Sequence, residues 1–296
     1  MRPRVSILMN CYNCRKYLVE AIESIYAQDY GDWEIVFVDN CSEDGSAEIA
    51  NGYDDRLRYI RTPSKMELGA ARNFGLSRCR GEYLAFLDTD DIWMPGKLGM
   101  QVDMLDRNRN YAMCYGGVVY IDENGNEGAR LIPEAKSGRI FPQLLKRYEI
   151  NMQSVLLRLS GDLKFDETKQ FSPDYDMFMK RAAKYEVGVI KSILVKYRKL
   201  EGSLTAKKMD RWWVEMKETL DEIASDDPEL TERYPREYRL AYAKAAYYRA
   251  RYLMSEGDRV GASRVMKAFR YASPVYWALY MLTLSPALWD LIHRYR

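Results

Sequence analysis

Residues 81–91 read GEYLAFLDTDD, an apolar run that ends directly in three acidic residues. The part from Tyr83 to Leu87 is rich in aromatic and aliphatic side chains and has the length of a buried strand. Asp88, Asp90 and Asp91 follow at once. Because ligands bind at the carboxyl ends of strands in open α/β sheets, the sequence predicts a ligand site here.

Similar apolar runs precede this one, and helical patterns separate them. Strands are predicted at Val5–Met9, Glu34–Val38, Leu57–Ile60 and Tyr83–Leu87. Between the first two strands, residues 15–28 carry apolar side chains at positions i, i+3, i+4 and i+7, the spacing of one helix face. These are Leu18, Ala21, Ile22 and Ile25. The alternation of strands and helices predicts a Rossmann-like, mostly parallel α/β sheet covered on both sides.

The pattern changes after the acidic run. We predict a helix from Pro95 to about Leu105, strands at Tyr111–Ile121 and Met152–Leu157, a helix at about Asp174–Lys184 and a strand at Ile193–Arg198. A turn at residues 122–126 separates the two longer strands. These elements complete a catalytic domain of residues 1–205, with its boundary near Ala206. Residues 206–296 read as an all-helical domain with breaks at 226–228, 257–258 and 273–274.

Charge is distributed unevenly along the chain. Residues 236–296 contain 11 Lys/Arg and 4 Asp/Glu, a net charge of +7, so the remaining residues carry about −5 of the formal +2. An acidic body and a basic tail are predicted, with the tail meeting anionic partners. The sequence contains no recognised nucleic-acid motif, and we expect no nucleic-acid partner.

The last apolar segment, residues 275–291, is interrupted by Pro286 and Asp290 and is shorter than the roughly 20 residues of a spanning helix. Its aromatic residues suit a helix that lies in the headgroup region of an anionic membrane leaflet. They are Trp277, Tyr280 and Trp289. The alternative is an amphipathic helix packed on its neighbours.

The cysteines and the single histidine indicate the cellular compartment and exclude some kinds of active site. An odd number of cysteines, five, and no signal peptide predict a reducing, cytoplasmic environment. Cys11 and Cys14 have the spacing of a redox pair or half a zinc site, but small half-buried thiols are the expected state. Because His293 is the single histidine, histidine triads and multi-histidine metal sites are excluded.

The acidic run favours a metal site. Three acids within four residues repel one another unless a cation neutralises them, and carboxylates are the ligands that Mn²⁺ and Mg²⁺ prefer. The alternative is a helix N-cap at Asp90 or Asp91, which uses one acid only. A metal there completes its shell with phosphate oxygens, which indicates a nucleotide diphosphate. Asp39, at the end of another strand, opens a loop that suits a ribose or base, unless Ser42 merely caps the next helix.

Five segments together resemble the inverting family-two glycosyltransferases, which have the GT-A fold. The similarity covers roughly residues 4–205. The matching segments are VSILMNCYN (5–13), VD (38–39), GAARNFGL (69–76), GEYLAFLDTDD (81–91) and YR (197–198). The chain departs from the family where Asn40 replaces a usual Asp and Pro173 a usual Glu.

The resemblance implies roles for the donor nucleotide. Tyr12 would lie on the base, Asp39 would accept a hydrogen bond from the ring N–H, and Arg72 would assist the nucleotide end. Asn10 and Asp88 would help to hold the donor. The alternatives are that Tyr12 is a core side chain and that Arg72 forms a structural ion pair.

The resemblance also implies that Asp90 ligates the metal and that Asp174, at the start of a helix, is the catalytic base. The alternative for Asp174 is stabilisation of the helix start, with Ser172 as N-cap and Pro173 as first residue.

The function implied is metal-dependent, inverting transfer of a sugar, with a UDP-sugar as the favoured donor. The acceptor would be a saccharide or a lipid-linked acceptor in surface polysaccharide or glycolipid synthesis. The expected location is cytoplasmic, at the inner face of the cell membrane. Two other classes stay open: a nucleotidyltransferase, which needs a glycine-rich loop that residues 9–13 lack, and a non-catalytic sugar-nucleotide-binding scaffold.

Overall fold

The computed structural model describes residues 2–200 and 209–293. The chain forms two compact units: residues 1–140 and 149–201, here called the sheet unit, and residues 141–148 and 202–296, here called the helical unit. The domain boundary predicted near Ala206 lies outside the described residues.

The sheet unit alternates strands and helices. Its strands are β1 (Val5–Cys11), β2 (Trp33–Asp39), β3 (Leu57–Arg61), β4 (Tyr83–Phe86), β5 (Ile92–Trp93), β6 (Tyr111–Ile121), β7 (Glu127–Leu131), β8 (Leu156–Arg158) and β9 (Glu186–Arg198). Its helices are α1 (Arg15–Tyr26), α2 (Ser46–Ala50), α3 (Leu68–Leu76), α4 (Lys97–Arg107) and α6 (Pro173–Lys184).

Within the described residues, the strands form one nine-stranded sheet with the order β3-β2-β1-β4-β8-β6-β9-β5, and β7 pairs with β6. Strands β3, β2, β1 and β4 are mutually parallel, while β8 is antiparallel to both of its neighbours. The parallel half therefore brings the carboxyl ends of β1, β2 and β4 to one edge, where a ligand site is expected.

The core explains why the first half follows the sequence pattern. All of β2 is buried, as is all of β1 except Asn10. The predicted face of α1 is confirmed, since Leu18, Ala21, Ile22 and Ile25 are all fully buried. Strands buried on both faces read as continuous apolar runs, and the helices that cover them read with a 3.6-residue period.

Helix α3 lies unusually close to the sheet at one residue. A Cβ atom on Gly75 would stand 2.3 Å from Cδ1 of Leu8 in β1 and 2.7 Å from Cγ2 of Val38 in β2. Any larger residue at position 75 would require the helix or the side chains of Leu8 and Val38 to shift.

Two predicted elements begin later or differently than predicted, and strand β9 is longer than predicted. The helix after the acidic run begins at Lys97 and not at Pro95, because Ile92 and Trp93 first pair with β9 and Gly96, at φ +78°, then turns the chain. The strand predicted at Met152–Leu157 begins as a 3-10 turn over Met152–Ser154, and only Leu156–Arg158 pairs as β8. Its start is instead fixed by the Asn151 side chain, which accepts a hydrogen bond from Gln153 N at 3.0 Å.

The helical unit contains α5 (Phe141–Lys146), α7 (Met209–Asp226), α8 (Glu229–Arg233), α9 (Pro235–Ser255), α10 (Arg259–Phe269), α11 (Pro274–Thr283) and α12 (Pro286–His293). The predicted breaks near residues 226–228, 257–258 and 273–274 are present. At the second break, Asp258 caps α10 by accepting a hydrogen bond from Gly261 N at 2.8 Å. None of the described helices combines the length and the apolarity that crossing a bilayer requires.

Helices α11 and α12 expose much of their apolar surface. Trp277 is 50% exposed, Leu284 54%, Leu288 51% and Leu291 61%. Trp289, by contrast, is buried among Tyr247 and His293. The exposed side chains define what we call the α11–α12 face: Val275, Trp277, Met281, Leu284, Leu288, Leu291 and Ile292.

Candidate active site

The acidic loop lies at the carboxyl end of β4, beside the end of β1. In the parallel register Leu8 pairs with Phe86, and Asn10 and Asp88 each follow this pair by two residues at the same edge of the sheet. Asn10 is the one partly exposed residue of β1, and its side-chain Nδ2 is buried without a hydrogen-bond partner among the described residues. A donor amide therefore lies next to the acidic loop and is available to a ligand.

The three acids of this loop carry charge that the protein alone balances poorly. Burial, and then the charge of Asp88, raises the pKa of Asp90 to about 6. Burial also raises the pKa of Asp88, and it raises that of Asp91 well above its ordinary value, with Asp88 and Asp90 adding to the effect. Raised pKa values on three neighbouring carboxyls mean that their negative charges are disfavoured unless a proton or a cation offsets them.

Two neighbours orient the acids. Gln153 accepts a hydrogen bond from Asp88 N at 2.9 Å and donates one to Asp88 Oδ2 at 2.5 Å. Arg198 N donates to Asp91 Oδ1 at 2.7 Å, while Asp91 Oδ2 is buried without a hydrogen-bond partner in the described part of the chain. The cap alternative for Asp90 and Asp91 is wrong, because Gly96 is the N-cap of α4.

Asp39 lies at the end of β2 and is held by three donors. Ser42 N donates to its Oδ1 at 2.7 Å, and Tyr59 OH and Arg61 Nη1 donate to its Oδ2 at 2.6 and 3.1 Å. Burial would raise the pKa of Asp39, but the hydrogen bonds from Ser42 and Tyr59 and the charge of Arg61 outweigh it and lower the pKa. Asp39 is therefore a fixed carboxylate. Ser42 does not cap α2, whose N-cap is Gly45.

Tyr12 follows β1 and is 48% exposed, so it is not a core residue. The ammonium group of Lys65 lies 3.8 Å from its ring centroid. The ammonium group of Lys65 thus covers one face of the Tyr12 ring and places a positive charge beside it.

The turn that carries Tyr12 is closed covalently. Cys11 and Cys14 form a disulfide, so the expectation of two free thiols is wrong. Asn13, which lies between the two cysteines, adopts a left-handed conformation with φ 53°.

Arg72, in α3, is 7% exposed, and its guanidinium lies 5.4 Å from the ring centroid of Phe165. Among the described residues it makes no hydrogen bond or ion pair, so the alternative of a structural ion pair is wrong. Its charge reaches the acidic loop, where it lowers the pKa of Asp88 against the effect of burial. A buried, unpaired guanidinium is suited to a phosphate.

Asp174 is the second residue of α6, after Pro173 and the N-cap Ser172, as the sequence predicted. It is half-buried. Its charge helps to raise the pKa of Asp88, which brings the two carboxyls into one electrostatic neighbourhood. Burial is the main cause of a raised pKa at Tyr197, and the charges of four acids add to it: Asp91, Asp88, Asp90 and Asp174.

Sequence reasoning did not single out Gln153, Tyr59 or Lys65. Gln153 lies 65 residues from Asp88 in sequence, and no local pattern connects them. Tyr59 could have been found, since it lies in a predicted strand next to the strand that ends at Asp39.

The sequence is similar to known glycosyltransferases. The sequence pattern described as Glycosyl transferase family 2 matches residues 6–165. The putative glycosyltransferase EpsE of Bacillus subtilis is 39% identical over 135 residues, which cover 44% of this chain and 49% of EpsE, so the match spans about half of that relative's length. The enzyme of Escherichia coli described as UDP-Glc:alpha-D-GlcNAc-diphosphoundecaprenol beta-1,3-glucosyltransferase WfgD is 28% identical over 215 residues, covering 71% of this chain and 83% of WfgD.

Solved structures share the architecture. Residues 1–349 of TarS from S. aureus, in complex with UDP-GlcNAc, superpose with a TM-score of 0.64 at 18% identity and cover 96% of this chain and 88% of that one. The mannosyltransferase PcManGT from Pyrobaculum calidifontis, in complex with GDP-Man and Mn²⁺, gives a TM-score of 0.61 at 18% identity and covers 98% and 88%.

Proposed function

This chain belongs to glycosyl transferase family 2 and has the GT-A fold, and from that premise we propose that it transfers a sugar, with inversion, from a nucleotide-diphosphate donor to an acceptor hydroxyl. One observation carries the proposal. The carboxyl edge of β1, β2 and β4 gathers an aromatic face, a fixed carboxylate, unsatisfied donors and an acidic cluster, which are the groups that a base, a diphosphate and its metal require.

The donor is proposed to be a UDP-sugar. The exposed ring of Tyr12 offers a stacking surface for the base, and the carboxylate of Asp39 is proposed to accept a hydrogen bond from a ring N–H. The amide of Asn10, which has no hydrogen-bond partner among the described residues, and the carboxyl of Asp88 are proposed to hold the rest of the nucleotide. The unpaired guanidinium of Arg72 suits the diphosphate.

The acidic loop fits a divalent cation, Mn²⁺ or Mg²⁺. Asp90 would hold it, and the unpartnered Oδ2 of Asp91 shows that the loop has acceptor capacity the protein does not use. When bound, such a cation neutralises the diphosphate as it departs. Gln153 and Arg198 hold the neighbouring carboxyls in place so that the site need not rearrange.

Asp174 is proposed to be the general base. Its carboxylate takes the proton of the acceptor hydroxyl, and the hydroxyl oxygen attacks the anomeric carbon from the side opposite to the departing nucleotide diphosphate. A single displacement of this kind inverts the configuration and needs no covalent intermediate. Asp174 is the second residue of α6, so its carboxyl lies in the first turn of that helix.

The acceptor is proposed to be a saccharide, in particular a lipid-linked one, in the synthesis of a surface polysaccharide or glycolipid. The relative WfgD is described as a glucosyltransferase that acts on a diphosphoundecaprenol-linked sugar. The α11–α12 face supports this assignment, because a large exposed apolar surface marks a membrane or partner contact. Exposed cations of α10 complement an anionic leaflet: Arg259, Arg264 and Lys267.

A panel of nucleotide sugars with Mn²⁺ tests the proposal. We expect a UDP-sugar to release UDP, faster when a lipid-linked saccharide is present, and anomeric NMR of the product to show inversion. Release of pyrophosphate from a nucleoside triphosphate would indicate nucleotidyl transfer instead. Binding of UDP-sugars without any turnover across an acceptor panel would favour a scaffold protein.

A further inference from the structure

The five cysteines differ sharply in what they can do. Burial raises the pKa of both Cys79 and Cys114 to about 12, so these thiols are poor nucleophiles at neutral pH. Cys41 is a partly buried free thiol. Cys11 and Cys14, by contrast, are joined to each other at the end of β1. The redox chemistry of the chain is therefore concentrated in this pair.

The disulfide brackets the two residues that shape the base end of the candidate donor site. Tyr12 and Asn13 lie between the two cysteines. Asn13 N donates to Ser42 Oγ at 3.0 Å, and Glu43 N donates to Asn13 Oδ1 at 2.9 Å. Through these bonds the turn is tied to the loop after β2, whose Ser42 also holds Asp39.

We propose that Cys11 and Cys14 are a redox-active site, whose thiol–disulfide exchange with a dithiol reductant sets the affinity of this protein for its nucleotide donor. The proposal rests on the proposed function, because it takes Tyr12 as the surface that meets the base. The disulfide form holds the turn in the donor-ready shape, and the dithiol form releases it.

The two sulfur atoms have different surroundings, and these define the exchange. Cys11 is 2% exposed, whereas Cys14 is partly exposed and is therefore the sulfur that a reductant thiolate reaches. Attack on Cys14 breaks the disulfide, forms a mixed disulfide at Cys14 and leaves Cys11 as a thiolate, 3.5 Å from the hydroxyl of Ser42. The second thiol of the reductant then attacks the reductant sulfur that is bonded to Cys14, and Cys14 leaves as a thiolate. Two electrons and two protons pass to the pair, and the reductant becomes a disulfide.

The position of Cys14 favours its release as an anion. It is the N-cap of the twelve-residue helix α1, and its own N–H donates to Ser46 Oγ at 3.2 Å. A helix N-terminus stabilises a negative charge, as it does in other redox pairs of this spacing.

The mechanical consequence follows from the backbone. Asn13 holds a left-handed conformation that non-glycine residues adopt at a cost, and the cross-link keeps the four-residue turn closed around it. Without the cross-link the turn samples more conformations. Ordering the turn around a base then costs more conformational entropy, and the affinity for the donor falls. We expect the reduced protein to bind UDP with Mn²⁺ roughly 3- to 10-fold more weakly than the oxidised protein.

The first test is chemical and does not depend on activity. Alkylation of the denatured full-length protein, followed by mass measurement, should count three free thiols before reduction and five after dithiothreitol, with peptide mapping of the pair to residues 11 and 14. Five free thiols in air-exposed protein, or a pair that includes Cys41, would overturn the proposed site.

The second test measures coupling. UDP with Mn²⁺ is titrated into oxidised and reduced wild type, into Cys14→Ser and into the matched control Cys79→Ser. Cys14→Ser should have the affinity of the reduced protein under both conditions, and Cys79→Ser should keep the wild-type ratio. Equal affinities of oxidised and reduced wild type would overturn the coupling while leaving the proposed function intact. If neither form binds UDP, GDP or their sugars, the proposed function itself fails and the coupling fails with it, whereas the thiol count still decides the disulfide.

Discussion

The sheet unit and the helical unit differ in where their most unusual side chains lie. In the sheet unit, carboxyls such as Asp39 and Asp91 are buried, and polar atoms at the strand ends lack partners. In the helical unit, apolar side chains of α11 and α12 such as Trp277 and Leu284 lie exposed. A buried polar group and an exposed apolar group are the two arrangements that folding alone does not favour.

The difference suggests that the sheet unit binds the ligand and that the helical unit associates with a surface. In the sheet unit, the buried acids and the unpartnered atoms of Asn10 and Asp91 lie at the strand ends, where a charged ligand can pair with them. An exposed apolar face is suited to a surface that excludes water, and the helical unit supplies it beside a net positive charge. If this division is correct, substitutions in one unit should leave the property of the other unchanged.

The largest expected effect is that of Asp174→Asn. The amide can still hydrogen-bond but cannot take a proton, so transfer should fall by roughly 10²-fold or more while binding of UDP with Mn²⁺ and of vesicles is unchanged. Product formation and calorimetric titration on the same preparation check this. Asp176→Asn is the matched control, because Asp176 is buried and its carboxyl lies 2.9 Å from Lys180 Nζ. A near-normal rate in Asp174→Asn, together with a slow Asp176→Asn, would move the base to Asp176.

Asp90→Ala should come next. Removal of one hard ligand leaves too few acids to hold the cation against water, so the affinity for UDP in the presence of Mn²⁺ should drop by about 10-fold or more. Affinity for UDP in the presence of a chelator should change little. Asp103→Ala, which removes a surface carboxylate paired with Arg107, serves as control. Wild-type affinity in Asp90→Ala would exclude Asp90 as a ligand.

The helical unit is tested by Leu284→Glu combined with Leu288→Glu. Two charges on the α11–α12 face oppose insertion into the interface of an anionic bilayer, so partitioning onto phosphatidylglycerol vesicles should fall roughly 5-fold. Release of UDP from a soluble donor should stay at the wild-type rate. Met100→Glu with Ile132→Glu places the same charges on exposed apolar residues of the sheet unit and should not alter sedimentation with vesicles. Equal loss in both double variants would assign the effect to net charge alone.

The smallest expected effect is a shift of melting temperature with pH. The pKa of Asp90 is raised from 3.8 to about 6, so ionisation of this acid weakens the metal-free fold as pH rises through that window. A cation reverses the penalty only where the acid is ionised. Mn²⁺ should therefore raise the Tm by a few degrees at pH 7.5 and by clearly less at pH 5. A shift that is independent of pH between these values would argue against carboxylate ligation by Asp90.

The comparison also explains which features could be predicted from sequence. Strand β2 was predicted to within one residue at each end, because a strand buried on both faces has an uninterrupted apolar pattern. The solvent-exposed strand β7 was missed, since Glu127–Leu131 has no such pattern and pairs only because the turn before it folds back onto β6. Strand β9 is longer than predicted because its pairing with β6 extends through Glu186.

For the candidate site, acids that follow a strand directly were found because three like charges have few structural uses. Their supports were not found. Gln153 reaches Asp88 only because β8 lies beside β4, a neighbour relation that depends on tertiary packing. The disulfide was underestimated for a different reason: composition predicts the compartment of the whole chain, whereas the Cys11–Cys14 bond depends on one local turn.

Gly75 illustrates how mutational tolerance can mislead. It lies one turn after Arg72 in α3, at the point where a single added carbon would meet Leu8 and Val38. Gly75 has no functional group, yet its hydrogen atom sets the spacing between helix and sheet, and thereby how far the guanidinium of Arg72 reaches toward Asp88. A deep mutational scan would score position 75 as intolerant as a ligand-contacting residue, although it contributes only a distance. Intolerance to substitution at position 75 therefore reports how closely helix α3 must pack against strands β1 and β2.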